Sequence, residues 1–181
     1  MSILDYAFIL VSLFWLLELF LFRNRQKESS PYAEQRSFYL IFITLSLTII
    51  FSLLFSRTDE SLPRQIIGLG CLGGGVFLRY WGILHLKNQF TRHVTVNTGD
   101  RLVSTGPYRT LRHPLYTGLL FITIGFPLFF ANWIVTIVAG LVMFFMLRHR
   151  IRIEETLLTA GFGPAYTEWA TTRKRLIPFI Y

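Results

Sequence analysis

The chain alternates long apolar runs with short polar ones. Ile3–Phe22, Phe38–Phe55 and Gln65–Leu86 each approach or reach the ~20 residues needed to cross a hydrocarbon core roughly 30 Å thick. Leu115–Leu147 is longer and is broken at Ala131-Asn132, which reads as two short helices in a tight hairpin, 115–130 and 132–147. A re-entrant hairpin is the other reading of that run. The pattern predicts about five transmembrane helices in a single domain spanning 1–181. Polar stretches 87–114 and 148–181 lie beside them. Ile3–Phe22 has no basic residue before it and no small-residue cleavage site after it, so it is expected to stay as an anchor.

Composition agrees on the solvent. Charged residues make up 15% of the chain, against a usual quarter, so lipid is the expected surroundings of most of the surface. The lone Cys71 lies within a span, which excludes an intrachain disulfide. A net charge of +8 suggests nucleic acid until its placement is read. Arg23, Arg25, Lys27 and Arg36 follow the first span. Lys87, Arg92, Arg101, Arg109 and Arg112 follow the third, and Arg148, Arg150, Arg152, Arg173, Lys174 and Arg175 come after the fifth. Only Arg57 and Arg64 fall in the alternate loop. The positive-inside rule produces this asymmetry. It puts the N-terminus outside and Thr98 and Thr172 in the cytoplasm, with Thr58 opposite. No nucleic-acid partner is expected.

Two features of the spans have ordinary readings. Gly68-Leu69-Gly70-Cys71-Leu72-Gly73 spells G-x-G-x-x-G, but a dinucleotide site needs a preceding strand and an acidic residue about 20 residues on. Neither is present, and a small-residue stripe is expected instead, with Gly70 and Gly74 admitting a neighbouring helix. Glu18 and Arg79 lie within spans, where ionisable groups pair or snorkel.

Chemistry concentrates at the two ends of the last hairpin. In "RTLRHPLYTG", residues 109–118, Pro114 suits the first turn of a helix and leaves His113 near the N-cap. With Arg112 adjacent, that helix start is a ready site for an anionic group. His113 and Tyr116 share one face. At the other end, "RHRIRIEETLLTAGFGPAYTEW", 148–169, places Arg150 and Glu154 four apart on one face. The chain breaks at Gly161-Phe162-Gly163, and Pro164 starts a helix carrying Tyr166 and Trp169. The hairpin returns the second cluster to the side the first one left.

Residues 100–118, "DRLVSTGPYRTLRHPLYTG", and 154–178, with Glu154-Glu155, Phe162-Gly163, Tyr166 and Arg175-Leu176-Ile177-Pro178, resemble the isoprenylcysteine carboxyl methyltransferase family, to which phospholipid methyltransferases are related. The likeness covers roughly the C-terminal half. It implies an all-α integral membrane protein with no Rossmann domain and a cytoplasmic C-terminal helical segment. The membrane would be of cell inner membrane or endoplasmic reticulum type. The implied activity is S-adenosyl-L-methionine-dependent methyl transfer, with no metal. Carried over by position, the cofactor residues are Asp100, Arg101, Leu102, Val103, Tyr108, His113, Pro114, Leu115 and Tyr116. Arg150 and Glu154 fall at the methyl-acceptor side. The family often has histidine in place of Asp100 and tyrosine in place of Trp169.

The residue types suit these roles. A helix start favours the cofactor carboxylate, and Tyr108 and Tyr116 offer ring faces to a sulfonium. Methyl transfer is an in-line displacement in which positioning supplies much of the catalysis. A carboxylate acceptor is ionised at neutral pH; Arg150 would clamp it while Glu154 orients Arg150. An amine or thiol acceptor would instead use Glu154 as a base. Three functions therefore stay open: methylation of a lipid-linked carboxylate, methylation of a phospholipid amine or a small thiol or amine, and a non-enzymatic transporter or sensor. A transporter is expected to show repeats and midplane charges, which this chain lacks. The expected partners are a lipophilic acceptor and membrane lipids.

Overall fold

A computed structural model of the chain describes residues 2–21, 32–56, 61–90 and 100–177. Turn residues Asn97-Thr98-Gly99-Asp100 predict a turn in the loop after the third span, and all of them but Asp100 lie outside these residues. So do Phe22, Thr58, Arg23, Arg25, Lys27, Arg57, Arg92 and Pro178. Among the described residues the structure is helical, with no strand. The order is α1 (Ile3–Leu21), α2 (Tyr32–Leu54), α3 (Leu62–Leu86), 3₁₀ turns at Lys87–Gln89 and Gly106–Arg109, α4 (Pro114–Phe130), α5 (Trp133–Phe162) and α6 (Pro164–Thr171).

Local signals place the helix ends. His113 is the N-cap of α4 and Pro114 its first residue. The Asn132 side chain caps α5 by accepting from the Val135 N–H at 3.0 Å. Gly163 separates α5 from α6 at φ +60°, a backbone that a side chain resists, and Pro164 opens α6. The last apolar helix runs past the end of its span at Leu147 to the break expected at Gly161-Phe162-Gly163. α5 continues for 30 residues, roughly 45 Å, because no breaker intervenes before Gly161. Its final turns carry Arg150, Glu154 and Glu155 beyond the apolar stretch. Among the described residues three helices are long and apolar enough to cross a membrane: Gln35–Leu54 within α2, Leu62–Leu86 and Trp133–Phe162. The apolar α4 is shorter, at 17 residues.

Helices successive in the chain alternate in direction. α1 runs parallel to α3, with Phe8 clustered near Leu72 and Glu18 bound to Arg79. α4 runs antiparallel to α3 along a glycine seam. A Cβ on Gly75 would stand 2.6 Å from the Gly118 carbonyl oxygen, and one on Gly125 would stand 2.6 Å from the Leu72 nitrogen. Gly68 meets the Phe129 backbone in the same way. The expectation for Gly70 and Gly74 is overturned, since a Cβ on either meets nothing within 4 Å. Helical period explains the shift: Gly68, Gly75 and Gly82 are seven apart and stay on one face, which Gly70 and Gly74 leave. At the far end of the seam Arg64 donates to the Ala131 carbonyl.

Two apolar clusters fill the bundle. Phe8, Leu72, Val76, Ile122 and Phe129 pack the end remote from residues 100–113. Ile41, Leu119, Leu120, Met143, Leu147 and Ile151 pack the other half, together with Leu176 from the tail. Large apolar side chains such as Phe77 and Ile134 point outward, which suits a hydrocarbon surrounding.

Candidate active site

All six α-helices, residues 100–103 and the turns carrying Gln89 and Tyr108 meet at the end of the bundle where α1 and α3 finish and α2 and α4 begin. They enclose a cavity of about 710 Å³, within the usual range for ligand sites. Of the residues expected at the site, Asp100, Arg101, Leu102, Val103, Tyr108, His113, Leu115, Tyr116, Arg150 and Glu154 all line it. Pro114 does not. It is fully buried beneath the wall, where it starts α4.

The polar centre of the cavity is built on Tyr116. Its hydroxyl accepts from Arg150 Nε at 2.8 Å, and Glu154 lines the same cavity. Arg150 is buried. It also donates to Ser37 Oγ of α2 at 2.9 Å and lies between the rings of Phe38 and Tyr116, at 5.8 and 6.0 Å from their centroids. A guanidinium held by aromatic faces and directed bonds is fixed before any ligand arrives.

His113 stacks on Tyr116 at 5.7 Å and faces two acids. Its Nδ1 is 3.7 Å from Glu154 Oε2, and its Nε2 is 3.5 Å from Glu155 Oε1. Both separations exceed ordinary hydrogen-bond lengths. Arg112 does not serve as the open anion site expected of it. Its NH1 binds Glu155 Oε1 at 2.8 Å, its NH2 the Ala170 carbonyl at 2.8 Å and its Nε the Arg173 carbonyl at 3.0 Å. Arg175 holds the other Glu155 oxygen at 2.9 Å. Glu155 thereby locks the tail against α5. Lys174 pairs with Leu111 in an isolated parallel bridge, and Thr117 Oγ1 donates to the Leu176 carbonyl.

Three buried polar atoms at this centre make no hydrogen bond to the described residues: His113 Nε2, Glu154 Oε2 and Tyr166 OH. Burial pushes the Tyr166 phenol far above its ordinary range, Glu155 and Glu154 add to the rise, and Arg112 and Arg175 oppose it. Tyr108 is shifted the same way by burial and then by Glu154, against Arg79. Both hydroxyls therefore stay neutral donors at physiological pH.

The remaining wall comes from segments whose hydropathy alone had no functional reading. α1 and α2 contribute Trp15, Leu16, Phe38, Phe42, Leu45 and Ile49, an apolar wing leading away from Arg150. Between wing and centre sits the Glu18–Arg79 pair. Arg79 Nε donates to Glu18 Oε2 at 2.7 Å and NH2 to Oε1, while NH1 reaches the Leu115 carbonyl at 3.2 Å. Pairing, not snorkelling, is the outcome for these two residues. Ser37 and Gln89 were also missed. A serine directly before the apolar run that starts at Phe38 was the one sequence signal for Ser37.

The chain is similar to known proteins. The sequence profile of the isoprenylcysteine carboxyl methyltransferase family matches residues 67–160, from α3 through most of α5. A probable protein-S-isoprenylcysteine O-methyltransferase of Oryza sativa subsp. indica is 30% identical over 131 residues, covering 71% of this chain and 69% of that protein. Protein-S-isoprenylcysteine O-methyltransferase A of Arabidopsis thaliana is 30% identical over 108 residues, 59% of this chain and 55% of its own length. The Schizosaccharomyces pombe protein-S-isoprenylcysteine O-methyltransferase is 30% identical over 118 residues, 64% and 50% respectively.

Proposed function

Because the chain belongs to the isoprenylcysteine carboxyl methyltransferase family, we propose that it is a membrane-embedded S-adenosyl-L-methionine-dependent methyltransferase. Its acceptor is the carboxylate of a lipid-linked, prenylcysteine-like molecule. One observation carries the reading: a single cavity joins the polar centre at Tyr116, Arg150 and Glu154 to an apolar wing between α1 and α2. A lipid-linked carboxylate has the same two-part chemistry.

The residues present fit the cofactor. The orphaned His113 Nε2, Glu154 Oε2 and Tyr166 OH are polar atoms that a polar ligand would satisfy, and leaving them unpaired is costly. S-adenosyl-L-methionine, when bound, supplies an electrophilic methyl group on a sulfonium. Asp100, Arg101, Leu102, Val103, Tyr108, His113, Leu115 and Tyr116 form its compartment, and Pro114 supports that compartment from below. Arg150, pinned by Ser37 and Tyr116, binds the acceptor carboxylate by charge-assisted hydrogen bonds. That carboxylate is ionised at neutral pH, so no proton has to be removed before attack. The apolar wing takes the chain.

In this reading all five helices α1–α5 cross the membrane, α4 being bounded by Pro114 and the break at Ala131-Asn132. The N-terminus lies outside and the cavity mouth faces the cytoplasm. Cysteine-accessibility mapping checks this in a protein whose Cys71 has been replaced by Ala. Cysteines at Ser104 and Thr172 are expected to label from the cytoplasmic side and one at Ser61 from the opposite side. Ser104 and Thr172 on opposite faces would sink the shared site.

The activity is tested by incubating the purified chain with methyl-labelled cofactor and a panel of farnesylcysteine analogues, phospholipids, amines and thiols. Base-labile label on a farnesylcysteine analogue is the expected result, since an ester is cleaved by base. Base-stable label on an amine or thiol overturns the acceptor assignment, and no transfer to any acceptor overturns the reaction.

A further inference from the structure

The cofactor compartment is closed on one side by residues 100–104, a strap with neither helix nor strand. Among the described residues this strap makes no backbone-to-backbone hydrogen bond. Side chains fasten it instead. Gln89 Oε1 accepts from the Arg101 N–H at 2.5 Å. At the other end the Trp169 indole N–H is shared between the Val103 carbonyl at 3.2 Å and Ser104 Oγ at 2.9 Å. Trp169 is itself immobilised. Its ring stacks on Tyr166 at 5.7 Å and 27°, and the Arg173 guanidinium lies 4.6 Å from its centroid. Arg173 also donates to the Trp169 carbonyl at 2.5 Å and to the Tyr108 carbonyl at 2.7 Å, so it holds the strap's continuation too. Behind them the tail is anchored by the fully buried Leu176.

We propose that Trp169, backed by Arg173, is a positioning residue that clasps the Val103-Ser104 end of the strap over the cofactor compartment, so that the C-terminal segment sets how tightly cofactor is held. The inference rests on the cofactor reading above and adds to it a residue outside the family-matched stretch. Trp169 acts through the strap and leaves the Arg150 centre untouched. Removing its N–H therefore loosens cofactor and spares turnover of what is bound.

The test uses the full chain in lipid nanodiscs. W169F keeps an aromatic face for Tyr166 and Arg173 and loses only the donor. Its S-adenosylhomocysteine dissociation constant and its KM for S-adenosyl-L-methionine are expected to rise about tenfold, the equivalent of one hydrogen bond. Its kcat and acceptor KM stay within about twofold, since uniform binding is what was lost. S104A, at an exposed position, is expected to weaken cofactor about threefold. The double variant should be no weaker than W169F, because both changes remove one interaction. If W169F lowers the unfolding midpoint, S104A alone decides. Unchanged cofactor affinity in S104A then overturns the proposal, as does a W169F protein in which kcat and both KM values move together. A wild-type chain that binds no S-adenosylhomocysteine overturns the cofactor reading itself. A wild type that binds while W169F binds equally well overturns only the clasp.

Discussion

Arg150→Ala is expected to lower turnover by about 10²–10³-fold, the usual loss when one preorganised charge is removed. Affinity for S-adenosylhomocysteine should stay within about threefold, measured by calorimetry. Arg150 is buried, sandwiched between Phe38 and Tyr116 and tied to Ser37, on the side of the cavity where the apolar wing begins. In the proposed reading its loss removes the guanidinium that receives the acceptor carboxylate at the end of that wing. Glu154→Ala is expected to act in the same direction, since Glu154 lines the cavity beside Tyr116, whose hydroxyl accepts from Arg150. The two losses should not add, because both break one network. With a carboxylate acceptor the wild-type rate should be nearly flat between about pH 6 and about pH 8. A rising limb that disappears in Glu154→Gln would instead identify Glu154 as a base acting on an amine or thiol. If both alanine variants lose cofactor and acceptor alike, the pair belongs to the cofactor site or to the fold.

The second large effect is on stability. Gly75→Ala puts a methyl group 2.6 Å from the Gly118 carbonyl and 3.0 Å from the Ile122 nitrogen. These are backbone atoms in a helix and cannot step aside, so α3 and α4 must separate. Overpacking of this kind costs about 1–3 kcal/mol, and Gly125→Ala, against the Leu72 backbone, is expected to match it. Gly70→Ala and Gly74→Ala meet open space and should stay within about 0.5 kcal/mol of wild type. Unfolding midpoints in detergent check the contrast. Equal midpoints for Gly75→Ala and Gly70→Ala would mean that the seam is not where α3 and α4 touch.

That contrast also shows where sequence reasoning stops. Hydropathy located the apolar stretches, and Pro114, Asn132 and Pro164 marked the starts of α4, α5 and α6, because cap and breaker chemistry acts within a few residues of chain. Spacing placed His113 with Tyr116 and Arg150 with Glu154, because helical period alone sets which neighbours share a face. The motif around Arg112–Tyr116 and Glu154-Glu155 carried the family. Partner choice lay beyond all of these signals. In a span, the face toward lipid and the face toward another helix are both apolar, so amphipathicity cannot tell Gly75 from Gly74 or Phe42 from Phe51. Only packing of α3 on α4 selected the glycines of the seam. Only the approach of α1 and α2 to the Arg150 end turned Trp15, Phe38 and Leu45 into a wall of the cavity. Glu155 and Arg112 look as exposed as their neighbours along the chain, and the docked tail made them a structural lock. Sequence determined the elements and the chemistry each could carry. Long-range packing, which brings Ser37 to Arg150 and Trp169 to Ser104 across 113 and 65 positions, decided which of those groups meet.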